Sequence, residues 1–308
     1  MGALIEITNK GFLTLPVSTK HHNLQPLGVS AGGPMDSFRA VLANRLVGNA
    51  DDAFLLEATF LLPGIRFSSR TAFAVVGGLD AVAIFHGGEK RVYATHQTLN
   101  AEPGDELLSC PVERGMRAYL AFSGGLEVKS LCPEPVSKGE RLTTLSDLLP
   151  PPRFMSADPL PLPQNEAVLR VIEGTQADHF SEAGLSAFYK GEYCYSPKSD
   201  RMGIRLFGPP VSFSPGHDGN ILSEAVRKGD IQIPTDGQPI LLMAGCQTSG
   251  GYAKIAHVIS ADIPIAAQLR PGARIHFKQV TVFEAQAILH RLARKMEESV
   301  SSTKRECL

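Results

Sequence analysis

"FAVVGGLDAVAIFHGGEKRVYATHQTLNAEPGDELLSCPVERGMRAYLAFSGG" occupies residues 73–125 and decides the fold. Short apolar, β-branched runs alternate here with Gly-Gly, His-Gly-Gly and Pro-Gly-Asp turns, which is the spacing of successive strands. The same texture continues through most of the 308 residues, among them 29 Gly and 22 Pro. The sequence therefore predicts a mainly β chain of barrel or sandwich type with few helices.

Three stretches depart from that pattern. "PMDSFRAVLANRLVGN" (34–49) puts Met35, Phe38, Leu42 and Leu46 on one helical face, with Asp36 as N-cap and Gly48-Asn49 as the stop. A second short helix is expected around "QADHFSEAGLSAF" (176–188). "VFEAQAILHRLARKMEESV" (282–300) reads as an amphipathic C-terminal helix, followed by a polar tail expected to fray. The Pro-dense "LLPPPRFMSADPLPLPQ" (148–164) lacks periodicity and stands near the midpoint. We read residues 1–148 as an N-terminal β domain, 149–164 as a linker, and 165–308 as a C-terminal β domain with its helix. Each half carries a helix near its start and then a strand-rich run, a hint of two related domains.

A formal net charge of −1 offers no broad basic field, so nucleic acid and anionic membrane are not expected partners. Small-molecule or protein partners fit better. No long apolar run and no secretory leader stand out, which points to the cytoplasm. Cys110, Cys132, Cys194, Cys246 and Cys307 are odd in number and widely spaced, so reduced thiols are expected. The one close histidine pair, His21-His22, lies in a polar loop, and no metal site is expected.

The polar chemistry gathers in a few places. "GCQTSGGYAKI" (245–255) offers Gln247, the hydroxyls of Thr248 and Ser249, the permissive Gly250 and Gly251, the amphipathic Tyr252 and the Lys254 cation. It is either a ligand-touching loop or a hairpin whose polar groups satisfy one another. Arg201, after Asp200, can clamp a carboxylate through two hydrogen bonds or pin a turn. Glu224 is a general-base candidate or an exposed acid near Arg227 and Lys228. "LGVSAGGPMDSF" (27–38) is a Gly-rich run into a helix where an anion can sit, without the Walker A or GxGxxG spacing. Asp36 is there a ligand-facing carboxylate or simply the cap.

Taken in order, residues 28–60, 118–128, 199–211 and 224–277 resemble the signature blocks of the biotin-dependent carboxyltransferase-like family. That family includes the C-type subunit of 5-oxoprolinase, the KipA antagonist of a kinase inhibitor, and the carboxyltransferase domain of urea carboxylase, of allophanate hydrolase subunit 2 type. The resemblance implies two cyclophilin-like β-barrel domains and a partner, the B-type or KipI-like protein, with an A-type component completing an ATP-dependent 5-oxoprolinase. It also implies that Asp36, Asn44, Glu57, Arg201, Glu224, Gln232, Gln238, Gln247, Thr248, Gly250, Gly251, Tyr252 and Lys254 belong to its polar blocks.

Some family features are missing. A Val-Gln-Asp-x-Gly-Arg stretch is replaced by "LPVSTKHHNLQPLG" (15–28), and a Gly-Ser-Arg-Ser-Thr-Tyr arm by "KSLCPEPVSKGERL" (129–142). Gly245 stands where Asp is common and Ala253 where Pro is usual.

The leading expectation is one component of an amidohydrolase complex that acts on a small cyclic amide or carboxylate. In it Arg201 or Lys254 holds a carboxylate or developing phosphate, Gln247 and Thr248 orient the amide, and Glu224 or Asp36 handles protons. Asn44, Gln232, Gln238, Gly250, Gly251 and Tyr252 are the expected substrate-binding set. The alternatives are a KipA-type regulatory protein and a biotin-dependent carboxyltransferase. The last needs a biotinylated partner, since no Met-Lys-Met carrier segment occurs in the chain.

Overall fold

A computed structural model describes residues 2–20, 24–130 and 132–301. His21, His22, Cys307 and the polar C-terminal tail lie outside the described residues. The chain divides into two compact units, one of residues 1–20, 36–162 and 293–308, the other of residues 21–35 and 163–292.

The first unit's strands are β1 (Leu4–Asn9), β2 (Leu13–Val17), β3 (Leu55–Thr59), β4 (Gly64–Phe67), β5 (Thr71–Gly77) and β6 (Ala81–His86). They continue as β7 (Glu89–Ala94), β8 (Leu99–Ala101), β9 (Glu106–Leu107), β10 (Arg117–Phe122), β11 (Arg141–Thr143) and β12 (Phe154–Met155). The first eleven form a six-stranded sheet, β11-β1-β4-β9-β6-β7, and a five-stranded sheet, β2-β3-β10-β5-β8. Side chains of both sheets share one core, with Ile5, Ile7 and Phe67 from the first and Phe73, Val75 and Leu120 from the second.

β3, β5 and β10 are buried at every position, so they read as apolar runs without alternation. Their second face is covered by helix α1 (Ser37–Leu46), whose Ala40, Leu42, Ala43 and Leu46 pack on Leu55, Ala74, Val76 and Ala121. α1 starts where the sequence predicts, with the Asp36 side chain accepting from the Arg39 N–H at 3.0 Å.

The second unit contains β13 (Glu166–Glu173), β14 (Tyr193–Tyr195), β15 (Gly203–Phe207), β16 (Asn220–Ala225), β17 (Asp230–Ile233), β18 (Ile240–Leu242), β19 (Ser249–Val258) and β20 (Arg274–Gln279). Seven of them close into a barrel in the order β13-β20-β14-β15-β18-β17-β19, with β19 returning to β13. Closure removes the free edges that an open sheet would present. β16 lies outside the ring as an eighth strand on β19.

Helix α2 (Glu182–Lys190), capped by Ser181, inserts Phe188 into the core, where its ring stacks on Phe277 at 4.4 Å. Helix α3 (Ile263–Gln268) has no counterpart in the sequence reading. "IPIAAQ" is buried at five of its six positions, so it carries no amphipathic stripe to betray a helix. Helix α4 (Val282–Ser299) matches the expected C-terminal helix, and β21 (Val300–Ser301) after it pairs with β12. The chain is thus mainly β, with few helices and one closed seven-stranded barrel.

Candidate functional site

The stretch read as a loop at 245–255 is mostly strand, because β19 begins at Ser249 and runs ten residues. Its pairing with β17 sets Asp230 against His257, Ile231 against Ala256, Gln232 against Lys254 and Ile233 against Ala253. Ile255 is therefore the extra residue of a β-bulge. Ala253 and Ile255 point into the barrel core before the bulge, and Ala256 and Val258 do so after it. Lys254 and His257, which strict alternation would send to opposite faces, are left together on the outer side.

The segment after β13 closes over this irregularity. The Gly174 N–H donates to the Ile255 carbonyl at 2.9 Å. A Cβ on Gly174 would lie 2.2 Å from the Lys254 carbonyl oxygen, so only glycine lets the two backbones approach this closely.

Lys254 and His257 line a cavity of about 960 Å³ within the second unit. Its walls come from the 25–28, 172–175 and 223–227 segments, Asp230, Thr248 and β19. The Lys254 ammonium pairs with Glu224 Oε1 on β16 and also reaches the Ala225 carbonyl at 3.4 Å. Gln176 completes the arrangement, since its Nε2 donates to the same Glu224 oxygen at 2.8 Å and its Oε1 accepts the Lys254 backbone N–H at 3.2 Å. The hydrogen bond from Lys254, seconded by that from Gln176, holds the Glu224 carboxyl below the usual range for a glutamate.

A second pair shares the cavity. His257 Nδ1 lies 2.7 Å from Asp230 Oδ1, and Asp230 Oδ2 accepts the Arg227 N–H at 2.9 Å. Burial pushes the Asp230 carboxyl up, but the His257 hydrogen bond and the Arg227 N–H outweigh it and leave the group below its ordinary value. Facing an ionised acceptor, a neutral His257 carries its proton on Nδ1 and keeps its lone pair on Nε2.

Of the residues singled out from sequence, Glu224, Thr248 and Lys254 meet in this cavity. Gln232 is buried beneath it, its amide donating to the Tyr252 carbonyl at 3.4 Å, and a Cβ on Gly250 would collide with that amide at 2.6 Å. Gly250 pairs with Glu224, Gly251 lies beside Ser223, and Tyr252, 39% exposed, pairs with Asn220. Gln247 stands next to Thr248, with its amide beside Gly250.

Others are engaged elsewhere. The Arg201 guanidinium donates to the Gly33 carbonyl at 2.7 Å, and Lys228 to the Pro34 and Met35 carbonyls, so the Gly-rich segment is held by two cations. Gln238 clasps Gly208 through both its carbonyl and N–H. Asp36 and Asn44 belong to the first unit. Asp36 is fully buried as cap and partner of Arg39, and Asn44 bonds the Ala53 carbonyl and Asn49.

Sequence reasoning missed Asp230, His257 and Gln176. Only the strand register joins the first two, and no local motif announces a bulge.

The family model described as carboxyltransferase domain, subdomain A and B, matches residues 27–279. The chain belongs to this carboxyltransferase-domain family. Among its relatives, the C-type subunit of 5-oxoprolinase from Escherichia coli (strain K12) is 31% identical over 299 residues, covering 92% of this chain and 93% of that relative. The solved structure of TTHA0988 superposes with a TM-score of 0.78 at 32% identity over 90% of the carboxyltransferase-family chain, which spans 55% of TTHA0988. Urea amidolyase from K. lactis gives a TM-score of 0.86 at 23% identity, a likeness of fold, with this chain spanning 20% of it. Among the described residues no helix is long and apolar enough to cross a membrane.

Proposed function

We propose that the chain is the C-type component of an ATP-dependent 5-oxoprolinase, working in the cytoplasm with an A-type partner and a B-type or KipI-like partner. One observation carries the reading: the cavity that joins Lys254, Glu224 and Thr248 sits in a chain that matches the C-type 5-oxoprolinase component over nearly its full length. A small lactam carrying one carboxylate suits this cavity. The Lys254 ammonium offers a charge for the carboxylate, Glu224 an acceptor for the ring N–H, and Thr248 a hydroxyl for the amide. The unpaired thiols Cys110, Cys132, Cys194 and Cys246 fit a reducing compartment.

The lining sets three carboxylates, Glu173, Glu224 and Asp230, against the two permanent cations Arg227 and Lys254. That balance suits a triphosphate poorly, so ATP is assigned to the partner proteins. The urea amidolyase likeness is one of fold and does not by itself favour biotin-dependent carboxyl transfer. The KipA-type reading predicts an assembled complex without turnover.

The test is glutamate release from 5-oxoproline and ATP by the chain combined with its cognate A-type and B-type partners, against the same mixture lacking it. Release that requires the chain is expected. An assembled complex without turnover would overturn the reading.

A further inference from the structure

The Asp230–His257 pair has no part in the substrate contacts proposed above, yet it is held from several sides. Asp230 is 6% exposed and held from two directions, by the imidazole at 2.7 Å and by the Arg227 N–H at 2.9 Å. His257 lies against Gly229, whose φ is +103°, and a Cβ on that glycine would meet the ring at 2.8 Å. His257 makes no hydrogen bond through Nε2 to any described residue. The bulge at Ile255 turns this ring from the barrel core to the cavity wall beside Lys254.

We infer that His257, oriented by Asp230, is the general acid–base of the cavity, acting on the bond broken beside Lys254 and Glu224. Nδ1–H is committed to the carboxylate, so the ring accepts a proton only at Nε2, and the imidazolium that forms is stabilised by Asp230. In the ring-opening step that rests on the 5-oxoprolinase reading, Nε2 takes a proton from the attacking water as its oxygen bonds to the carbonyl carbon. The same proton is then delivered to the ring nitrogen as the C–N bond breaks, so His257 ends as it began. The bland role for the pair is a clasp between β17 and β19, which would need neither a lone pair on Nε2 nor a place on the cavity wall.

His257→Asn separates the two roles, because the asparagine amide can still donate to Asp230 while no base remains. In the complex with its partner proteins, H257N is expected to assemble and melt as wild type, with kcat lower by about 10²- to 10⁴-fold and KM little changed. Asp230→Asn is expected to lower kcat and to displace the acid limb of the pH profile. Wild-type kcat and pH profile in assembled H257N would overturn the inference.

Carbethoxylation of the full chain alone, read by peptide mass spectrometry, tests the same lone pair without any substrate. His257 is expected to be modified, and more slowly in D230N than in wild type; an unreactive His257 would overturn the assignment. A complex that releases no glutamate while His257 reacts as expected would sink the 5-oxoprolinase reading and leave the acid–base pair standing.

Discussion

Lys254 and His257, three residues apart on β19, line one cavity because Ile255 between them is an extra residue in the strand. A regular strand would bury one of them in the barrel core. The bulge converts an alternating pattern into a polar ledge, and the neighbouring glycines make room for it.

Gly174 bears most directly on that ledge. Gly174→Ala drives a Cβ into the Lys254 carbonyl at 2.2 Å, so the bulge must shift. We expect a loss of about 1–3 kcal/mol in stability and a weaker ligand site. Gly251→Ala meets only Ser223 Oγ at 3.3 Å and the Ile221 carbonyl at 3.4 Å, and should stay within about 0.5 kcal/mol of wild type. Urea unfolding of both variants checks the contrast.

Asp36 distinguishes a cap from a ligand. It is wholly buried against Arg39, with an ion pair at 2.7 Å in addition to the cap hydrogen bond. Asp36→Ala strands part of that buried charge and should destabilise by about 3–5 kcal/mol. Calorimetry reads this directly, whereas a ligand-facing Asp36 would give near-native melting and weak binding.

Glu224 gives a pH dependence of known sign. Its carboxyl is held low in the folded chain by Lys254 and then Gln176. The stabilisation is therefore present above the unfolded value of about 4.3 and is lost as pH falls through the folded value. Gln176→Ala removes one of the two donors. The share of its deficit that belongs to Glu224, under about 1 kcal/mol for so open a group, should be seen at pH 7 and fade near the foot of the Glu224 titration, while the share from the lost bond to the Lys254 N–H remains.

Thiol reactivity follows burial. Burial pushes the Cys246 thiol up to about 11, whereas Cys132 and Cys194 are exposed. At pH 8, alkylation followed by peptide mass spectrometry should label Cys132 and Cys194 and spare Cys246. Prompt labelling of Cys246 would mean that its surroundings open in solution.

Much of this architecture was legible in the sequence, for reasons that can be named. Gly-rich turns between apolar runs predicted a mainly β chain, and the three expected helical stretches stand as α1, α2 and α4, with Asp36 the expected cap. Met35, expected on the apolar face of α1, precedes the helix and packs in the core of the second unit. α3 was silent because it is buried nearly all round.

The site was half legible. Glu224, Thr248 and Lys254 announced themselves by their chemistry and do converge. Arg201 and Gln238 announced themselves equally and hold backbone carbonyls, because a side chain's type does not say which segment the fold brings beside its turn. Asp230 and His257 are far apart along the chain and meet through register alone.

The central claim is that the Lys254 cavity is where the assembled enzyme binds and opens its substrate. Lys254→Met keeps an unbranched stem of similar shape and removes the ammonium. In the complex with its partner proteins, shown by gel filtration to assemble, K254M should lower the rate of ATP-dependent glutamate release by at least about 100-fold. A K254M complex that turns over 5-oxoproline at the wild-type rate would contradict the account.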